Sequence, residues 1–384
     1  MSAERPSDSR DKVVVKFPDA LRRKLEVRAV NAGTTIEDAV TAGICMWLDN
    51  VEAPPATGAA RGAALTTHVP SELYRTFRVA CLRRKVRHPH ALAQAVRLWL
   101  DANPLAAPVR SPSGPRRIAV ANQKGGVGKT AVASGVAQSL AESGYRVLII
   151  DFDPQSHLTL QLGIDPLPIK GDSLAKNMTG ERTSDLRELL VKVCGEAFDH
   201  RLSLLPACTD AFLLDARLVT SRDVRVKETA LEKALAPIED DFDVIVLDCP
   251  PSLGYAMDNA LYYARTRDGE PPATSGLLIP VQAEDSSADA YVLLREQVES
   301  LSDDLDIEVH DLGFVINHYD SRKGFVATSA LEQWQAMGTP EVIAVLNDRK
   351  EQREAVRLRV PLLVHAPDGS QADVMRHIAR RISA

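Results

Sequence analysis

The residues with the clearest chemical potential form one run, Asn122-Gln123-Lys124-Gly125-Gly126-Val127-Gly128-Lys129-Thr130. Its glycines let the backbone curl so that several N–H groups point inward at phosphate oxygens, and a helix beginning directly after it adds the positive end of its dipole. Lys129 is then placed to neutralise the β and γ phosphates of a nucleoside triphosphate, with the Thr130 hydroxyl on Mg2+. Two carboxylate groups suit the same chemistry. The apolar run Val147–Ile150 leads into Asp151-Phe-Asp153-Pro-Gln155, and Val244–Leu247 leads into Asp248-Cys-Pro-Pro-Ser252-Leu-Gly254. A carboxylate in such a place holds a water of the Mg2+ shell or orients the attacking water.

These residues need a scaffold that brings them to one edge. From Arg117 onward the pattern is strand, loop, helix, repeated, with candidate strands at Ile118–Ala121, Val147–Ile150, Leu202–Leu205, Val244–Leu247, Leu277–Val281 and Phe314–Ile316. Continuous apolar runs of this length are expected of parallel strands buried on both faces. The fold class expected is therefore α/β, a doubly wound, mostly parallel sheet. Ligands in such sheets bind outside the carboxyl ends of the strands, where both aspartate groups fall.

The combination KGGVGKT, DFDPQ and VIVLDCPPSLG resembles the deviant Walker ATPases of the ParA/MinD group, and the resemblance covers essentially all of 116–384. It includes GYAMDNAL, IPVQAE at 279–284 and FVINHYDSR at 314–322. The resemblance implies ATP and Mg2+ as cofactors and a nucleotide site made of Lys124, Gly125, Gly126, Val127, Gly128, Lys129, Thr130 and Ala131. It further implies that Lys124 reaches across an ATP-sandwiched homodimer to the partner's nucleotide. Lys129 and Thr130 serve phosphate and metal, Asp153 supports hydrolysis and Mg2+, Asp248 is the Walker B carboxylate, and Asn317 contacts adenine. Ala131 departs from the pattern, since the family usually carries Thr or Ser there to donate to the α-phosphate. Weaker nucleotide binding is expected as a result. Partition ATPases bind DNA without sequence preference through basic residues on the C-terminal side. Arg349, Lys350, Arg353, Arg357 and Arg359 are the candidates here, with Arg376, Arg380 and Arg381 as a second group. A centromere-binding ParB-like protein is the implied partner.

The N-terminal part is a different object. Residues 1–115 hold 17 Lys and Arg against 11 Asp and Glu, and the remainder 29 against 41, although the whole chain carries only −6. A basic head on an acidic body points to nucleic acid as the partner of the head. Pro-, Ala- and Gly-rich stretches mark linkers at 52–63 and 103–115, and residues 1–10 read as disordered. Between them lie two copies of one pattern, 11–51 and 64–102. An ungapped offset of 52 residues superposes Pro18 on Pro70, Leu21 on Leu73, and Trp47-Leu48-Asp49 on Trp99-Leu100-Asp101. Each copy reads as a short extended run followed by two helices. Ile36, Val40, Ile44 and Trp47 share one helix face, matched by Leu92, Val96 and Trp99, and Thr35 with Asp38 makes a capping pair.

A strand and two helices in about 40 residues resembles the ribbon-helix-helix DNA-binding fold, which works as an intertwined pair because one unit cannot bury its apolar face alone. Strand alternation places Lys12, Val14 and Lys16 outward on the first ribbon strand, and Ala64, Thr66 and His68 on the second. The resemblance implies that these enter the major groove, while Val13, Val15 and Phe17 face the core.

Several classes are excluded. No uncharged apolar run is long enough to span a bilayer, and the polar N-terminus carries no secretory signal. Five scattered cysteines without a C-x-x-C pair argue against a disulfide framework or zinc site. The expected location is cytoplasmic and nucleoid-associated, without membrane binding. The C-terminal segment DVMRHIARRISA reads as a last packing helix. The function expected is ATP-dependent partition of plasmid or chromosomal DNA, with weak intrinsic ATPase activity and a site-specific DNA reader at the N-terminus. The competing expectations are a transcriptional repressor with ATP as allosteric ligand, and an ATPase that positions another cargo.

Overall fold

The computed structural model describes residues 9–50, 64–104, 113–182, 184–222, 224–284 and 286–383. The linker expected at 52–63, most of that at 103–115, and residues 1–8 of the expected disordered head lie outside these. The chain divides into two compact units, Met1–Ala106 and Ala107–Ala384.

The first unit contains β1 (Arg10–Lys16), α1 (Asp19–Asn31), α2 (Ile36–Asp49), β2 (Ala64–Pro70), α3 (Ser71–Arg83) and α4 (His88–Ala102). Arg10, assigned to the disordered head, belongs to the first strand. β1 and β2 pair antiparallel with Lys12 opposite His68, Val14 opposite Thr66 and Lys16 opposite Ala64. The 52-residue offset exchanges the 12–68 and 16–64 pairs and leaves 14–66 in place, so the two repeats are related by a pseudo-twofold axis through the middle of the ribbon. Val13, Val15, Leu65, Thr67 and Val69 turn inward and Lys12, Val14, Lys16, Ala64 and Thr66 outward, with His68 half-buried. Phe17, Trp47, Phe77 and Trp99 complete the core. Thr35 caps α2, accepting from Asp38 N at 3.1 Å while its hydroxyl donates to the Asp38 carboxylate at 2.7 Å. α4 opens on Pro89 in its first turn without a side-chain cap.

α2 and α4 approach closely at Gly43, where an added Cβ would fall well inside contact of the Ala95 carbonyl oxygen. Positions 43 and 95 are themselves equivalents across the pseudo-twofold, so each helix presents its smallest residue where backbone meets backbone. Gly43→Ala is expected to destabilise this unit by about 1–3 kcal/mol through forced separation of the two helices. Urea unfolding followed by fluorescence of the buried Trp47 and Trp99 would show it as an earlier transition.

The second unit is built on an eight-stranded sheet of order β10-β9-β8-β3-β7-β4-β6-β5. Its strands are β3 (Arg116–Val120), β4 (Val147–Asp151), β5 (Val191–Lys192), β6 (Leu202–Leu205), β7 (Val244–Asp248), β8 (Gly276–Gln282), β9 (Asp311–Tyr319) and β10 (Val342–Asn347). All neighbours are parallel except β5 with β6. The central strands are buried on both sides. Ala119, Leu148 and Ile245 pack into one apolar layer and Ile118, Val147 and Val244 into the other, as their unbroken apolar runs require. β5 and β10 were not among the expected strands. β5 has two exposed residues, and β10 is an edge strand whose burial alternates irregularly; neither carries the continuous apolar signal of the inner strands.

Helix α5 (Lys129–Glu142) is buried along almost its whole length because the C-terminal helix Ser370–Ser383 covers its outer side. Met375 of that helix packs against Gly135, leaving no room for a Cβ there. Arg376 joins the same interface: its guanidinium pairs with Glu142 at 2.5 and 3.0 Å, both side chains being buried. This overturns its expected availability to DNA, since a fully paired charge inside a helix–helix contact cannot reach phosphate. No helix among the described residues is long and apolar enough to cross a membrane.

Candidate nucleotide site

The site gathers at the carboxyl ends of β3, β4, β7, β8 and β9. After β3 the buried Asn122 fixes the start of the loop. Its amide donates to Pro280 O on β8 at 2.8 Å, and its carbonyl accepts Lys124 N at 2.9 Å. Gly126 and Gly128 then take φ of +78° and +89°, a region that side-chain-bearing residues rarely adopt. Gly128 is doubly constrained, because a Cβ would collide with the Asn317 amide. Asn317, near the end of β9, donates to Val127 O at 3.0 Å, and Gln282 at the end of β8 donates to Gly126 O at 3.2 Å. Neighbouring strands thus brace the loop from one side while α5 begins on the other. Asn317, expected at adenine, stands here against the phosphate loop. Thr130 and Ala131 follow Lys129 in the first turn of α5.

Parallel register places Asp151 of β4 beside Asp248 of β7. Asp248 is buried, and neither of its oxygens receives a hydrogen bond of normal geometry among the described residues. Burial drives its pKa well above the usual carboxylate range and the Asp151 charge adds to this; the Thr130 hydroxyl and Lys129 pull it back. Asp151 accepts Thr159 N at 2.8 Å and Thr159 Oγ1 at 2.6 Å, yet burial still pushes it up to about 6. Lys129 is buried as well, donating to Lys124 O at 3.1 Å. Burial lowers its pKa despite the opposing pull of Asp248, Cys249 and Asp153. Asp153 stands half-buried at the rim with one oxygen accepting Gln155 N at 3.0 Å.

A buried carboxylate with two orphaned oxygens beside a second carboxylate and a threonine hydroxyl is a donor set for a hard divalent cation. A loop curled by two glycines at positive φ, with a buried lysine at the start of the helix that follows, suits phosphate. The residues present therefore fit a nucleoside triphosphate with Mg2+. Lys124 stands at the mouth, its Nζ 3.4 Å from both Glu284 Oε2 and Ser287 Oγ. These two partners, the Asn122 bracket and the Asp151–Thr159 contact carried no sequence signal of their own. Their roles depend on which strand lies next to which.

The AAA domain family matches residues 115–310. The chromosome-partitioning ATPase Soj of Thermus thermophilus is 32% identical over 70% of this chain and 96% of its own length. The chromosome partitioning protein ParA of Myxococcus xanthus is 31% identical over 61% of this chain and 75% of its own. The chain belongs to the ParA/MinD-type family of P-loop ATPases. Among solved structures, the cobyrinic acid a,c-diamide synthase of Mycobacterium smegmatis with bound ADP and magnesium superposes with a TM-score of 0.52 at 28% identity, covering 69% of this chain and 93% of that one. ATP and Mg2+ are the cofactors of this ParA/MinD-type site.

The basic residues expected to meet DNA are distributed unevenly. Arg349, Lys350, Arg353 and Arg357 are exposed around the helix Lys350–Leu358 that follows β10. Arg353 lies 3.4 Å from Asp348 and Lys350 3.5 Å from Glu354. Arg359 is the exception. Its guanidinium donates to Leu160 O, Ile164 O and Asp165 at 3.1, 3.0 and 2.8 Å, so it ties this helix to the segment after β4. Arg380 is exposed, and Arg381 pairs with Glu341 at 2.7 Å.

Proposed function

We propose that this ParA/MinD-type ATPase is a DNA-partition protein that segregates plasmid or chromosomal DNA. ATP closes a homodimer, the dimer holds DNA without sequence preference, and a centromere-binding ParB-like partner stimulates slow hydrolysis that releases it. The observation that carries this reading is the placement of Lys124. It stands at the head of the phosphate loop with its side chain directed to Glu284 and Ser287 beyond the loop, the direction from which it would meet a phosphate across a dimer interface. Mg2+, when bound, supplies charge neutralisation for the β and γ phosphates. The chain's own residues do the rest: Lys129 faces those phosphates, Thr130 and Asp248 hold the metal shell, and Asp153 at the rim orients water. Ala131 removes one hydroxyl contact to the α-phosphate. Non-specific DNA contact falls to Arg349, Lys350, Arg353 and Arg357, joined by Lys323 after β9, which with Arg353 acts on the same His318. The N-terminal repeats add a ribbon-helix-helix-like reader whose outward ribbon residues enter the major groove at an operator or partition site.

Lys124→Ala tests the dimer directly. Wild type should shift from monomer to dimer with ATP in sedimentation and bind random duplex DNA in the same state. The variant should bind ATP yet remain monomeric and fail to bind that DNA. Undetectable hydrolysis by wild type with DNA and partner present would instead favour the repressor reading, in which ATP is only an allosteric ligand.

A further inference from the structure

The pseudo-twofold of the N-terminal unit relates its folds but not its charges. The turn between α1 and α2 reads Ala32-Gly-Thr-Thr-Ile36-Glu37-Asp38, and its equivalent between α3 and α4 reads Arg84-Lys85-Val-Arg87-His88-Pro-His90. The first is acidic, and its charge is turned toward the ribbon: Glu37 pairs with His68 at 2.7 Å and with Arg10 at 3.2 Å. Those contacts place the start of α2 beside the outward face at the Arg10–His68 end. The same twofold operation places the start of α4 beside the outward face at the opposite end, where Lys16 lies.

At that opposite end the structure holds a cavity of about 400 Å3 lined by Arg78, Lys85, Arg87 and His88 over an apolar floor that includes Cys81. Arg78, Lys85 and Arg87 are exposed. Arg84 is not part of it, since its guanidinium donates to Trp47 O and Leu48 O at 2.7 and 2.8 Å and stacks on the Trp47 ring. The His88 Nε2 is buried without a hydrogen-bond partner among the described residues. Three cations with no acidic partner among the described residues, and an unsatisfied imidazole nitrogen, surround one concavity and suit an anion, and α4 begins there without a side-chain cap to compete for its first amides. Glu37 and Asp38 make the equivalent place repel the same anion.

We propose that the α3–α4 turn binds a phosphate of duplex DNA and that its α1–α2 counterpart does not, so the unit clamps the DNA backbone at one end of the ribbon only. This rests on the reading of the unit as a DNA binder. A symmetric ribbon-helix-helix pair anchors both ends and suits a palindromic site; a one-ended clamp suits a site without dyad symmetry, with its register set by the Lys85–Arg87 phosphate contact.

The test uses the nucleotide-free full chain and 30-bp duplexes that it selects from a random pool, mapped by phosphate-ethylation interference. The expected result is interference on one side of the ribbon contact only, with Arg87→Glu weakening binding at least tenfold and flattening the slope of log K against log salt by about 1, the value for one lost phosphate. Glu37→Gln should leave the affinity within about twofold, whereas Lys16→Ala, on the ribbon itself, should weaken it. Interference symmetric about the site centre, or full affinity in Arg87→Glu while Lys16→Ala binds poorly, overturns the one-ended clamp and leaves the DNA reader standing. Selection of no duplex, or equal binding by Lys16→Ala and wild type, overturns both.

Discussion

Lys129→Ala is expected to lower ATP turnover by at least about a thousandfold, a loss of about 4 kcal/mol of transition-state stabilisation. The lysine begins α5 beneath the loop, buried, with its Nζ on Lys124 O. Among the described residues it is the cation that reaches both the phosphate loop and the Asp248 carboxylate, on which it acts directly. Charge that develops on the transferring phosphoryl group in a water-poor site needs a preorganised cation, and no neighbouring residue can take over, because Lys124 is held outward by Glu284 and Ser287. Steady-state phosphate release, with fluorescent-nucleotide titration alongside, separates lost chemistry from lost binding. Turnover within tenfold of wild type would remove Lys129 from the reaction.

Asp248→Asn should act in opposite directions on stability and activity. In the nucleotide-free protein the carboxylate is buried beside Asp151 without a hydrogen-bond donor of normal geometry, a costly arrangement for an ionised group. An amide there needs neither a buried charge nor a proton taken up on folding, so the melting temperature at pH 7 should rise by several degrees, as relief of about 2 kcal/mol would do. The same change removes a carboxylate from the proposed metal site, so Mg2+-dependent turnover should fall below detection. The pH dependence has a definite sign. Asp151 is pushed up to about 6, and Asp248 is also raised, so the folded state keeps protons that the unfolded chain has already released. Stability of the nucleotide-free protein therefore declines as pH rises from about 4 through 6, where Asp151 ionises, and goes on declining above that until Asp248 has also released its proton. Asp248→Asn should flatten that decline, and saturating Mg2+-nucleotide should do so in wild type by offsetting the buried charge. Calorimetry between pH 4 and 8 reads all three; a wild-type stability that rises across this window would overturn the account.

Both predictions concern residues visible in the sequence, and the division between what was legible there and what was not has a physical cause. The phosphate loop, Asp151, Asp153 and Asp248 are local patterns: an apolar strand ending in a special residue is readable because the strand's burial and the residue's position are set within a few neighbours. The inner strands β3, β4, β6 to β9 were legible for the same reason, and so was the ribbon, whose period of two places Lys12, Val14 and Lys16 on one face and Val13 and Val15 on the other. Edge strands β5 and β10 were not, since an edge needs only partial burial and leaves a weak pattern.

Charge assignments fared worse, because a cation's partners are chosen by tertiary contact. Arg376 and Arg359 share the composition of Arg353 and Arg357, yet packing against Glu142 and the 160–165 segment removes them from solvent or from availability. The internal repeat likewise announced two equivalent units. Tertiary structure decided that they pair within one chain, cross at Gly43 and Ala95, and differ in the charge of their turns. By itself, the sequence determined the nucleotide site's chemistry, because glycines, a lysine and strand-terminal carboxylates act where the backbone puts them. Only the fold decided which of the chain's many charges are free to meet a ligand, because burial and pairing depend on residues hundreds of positions away.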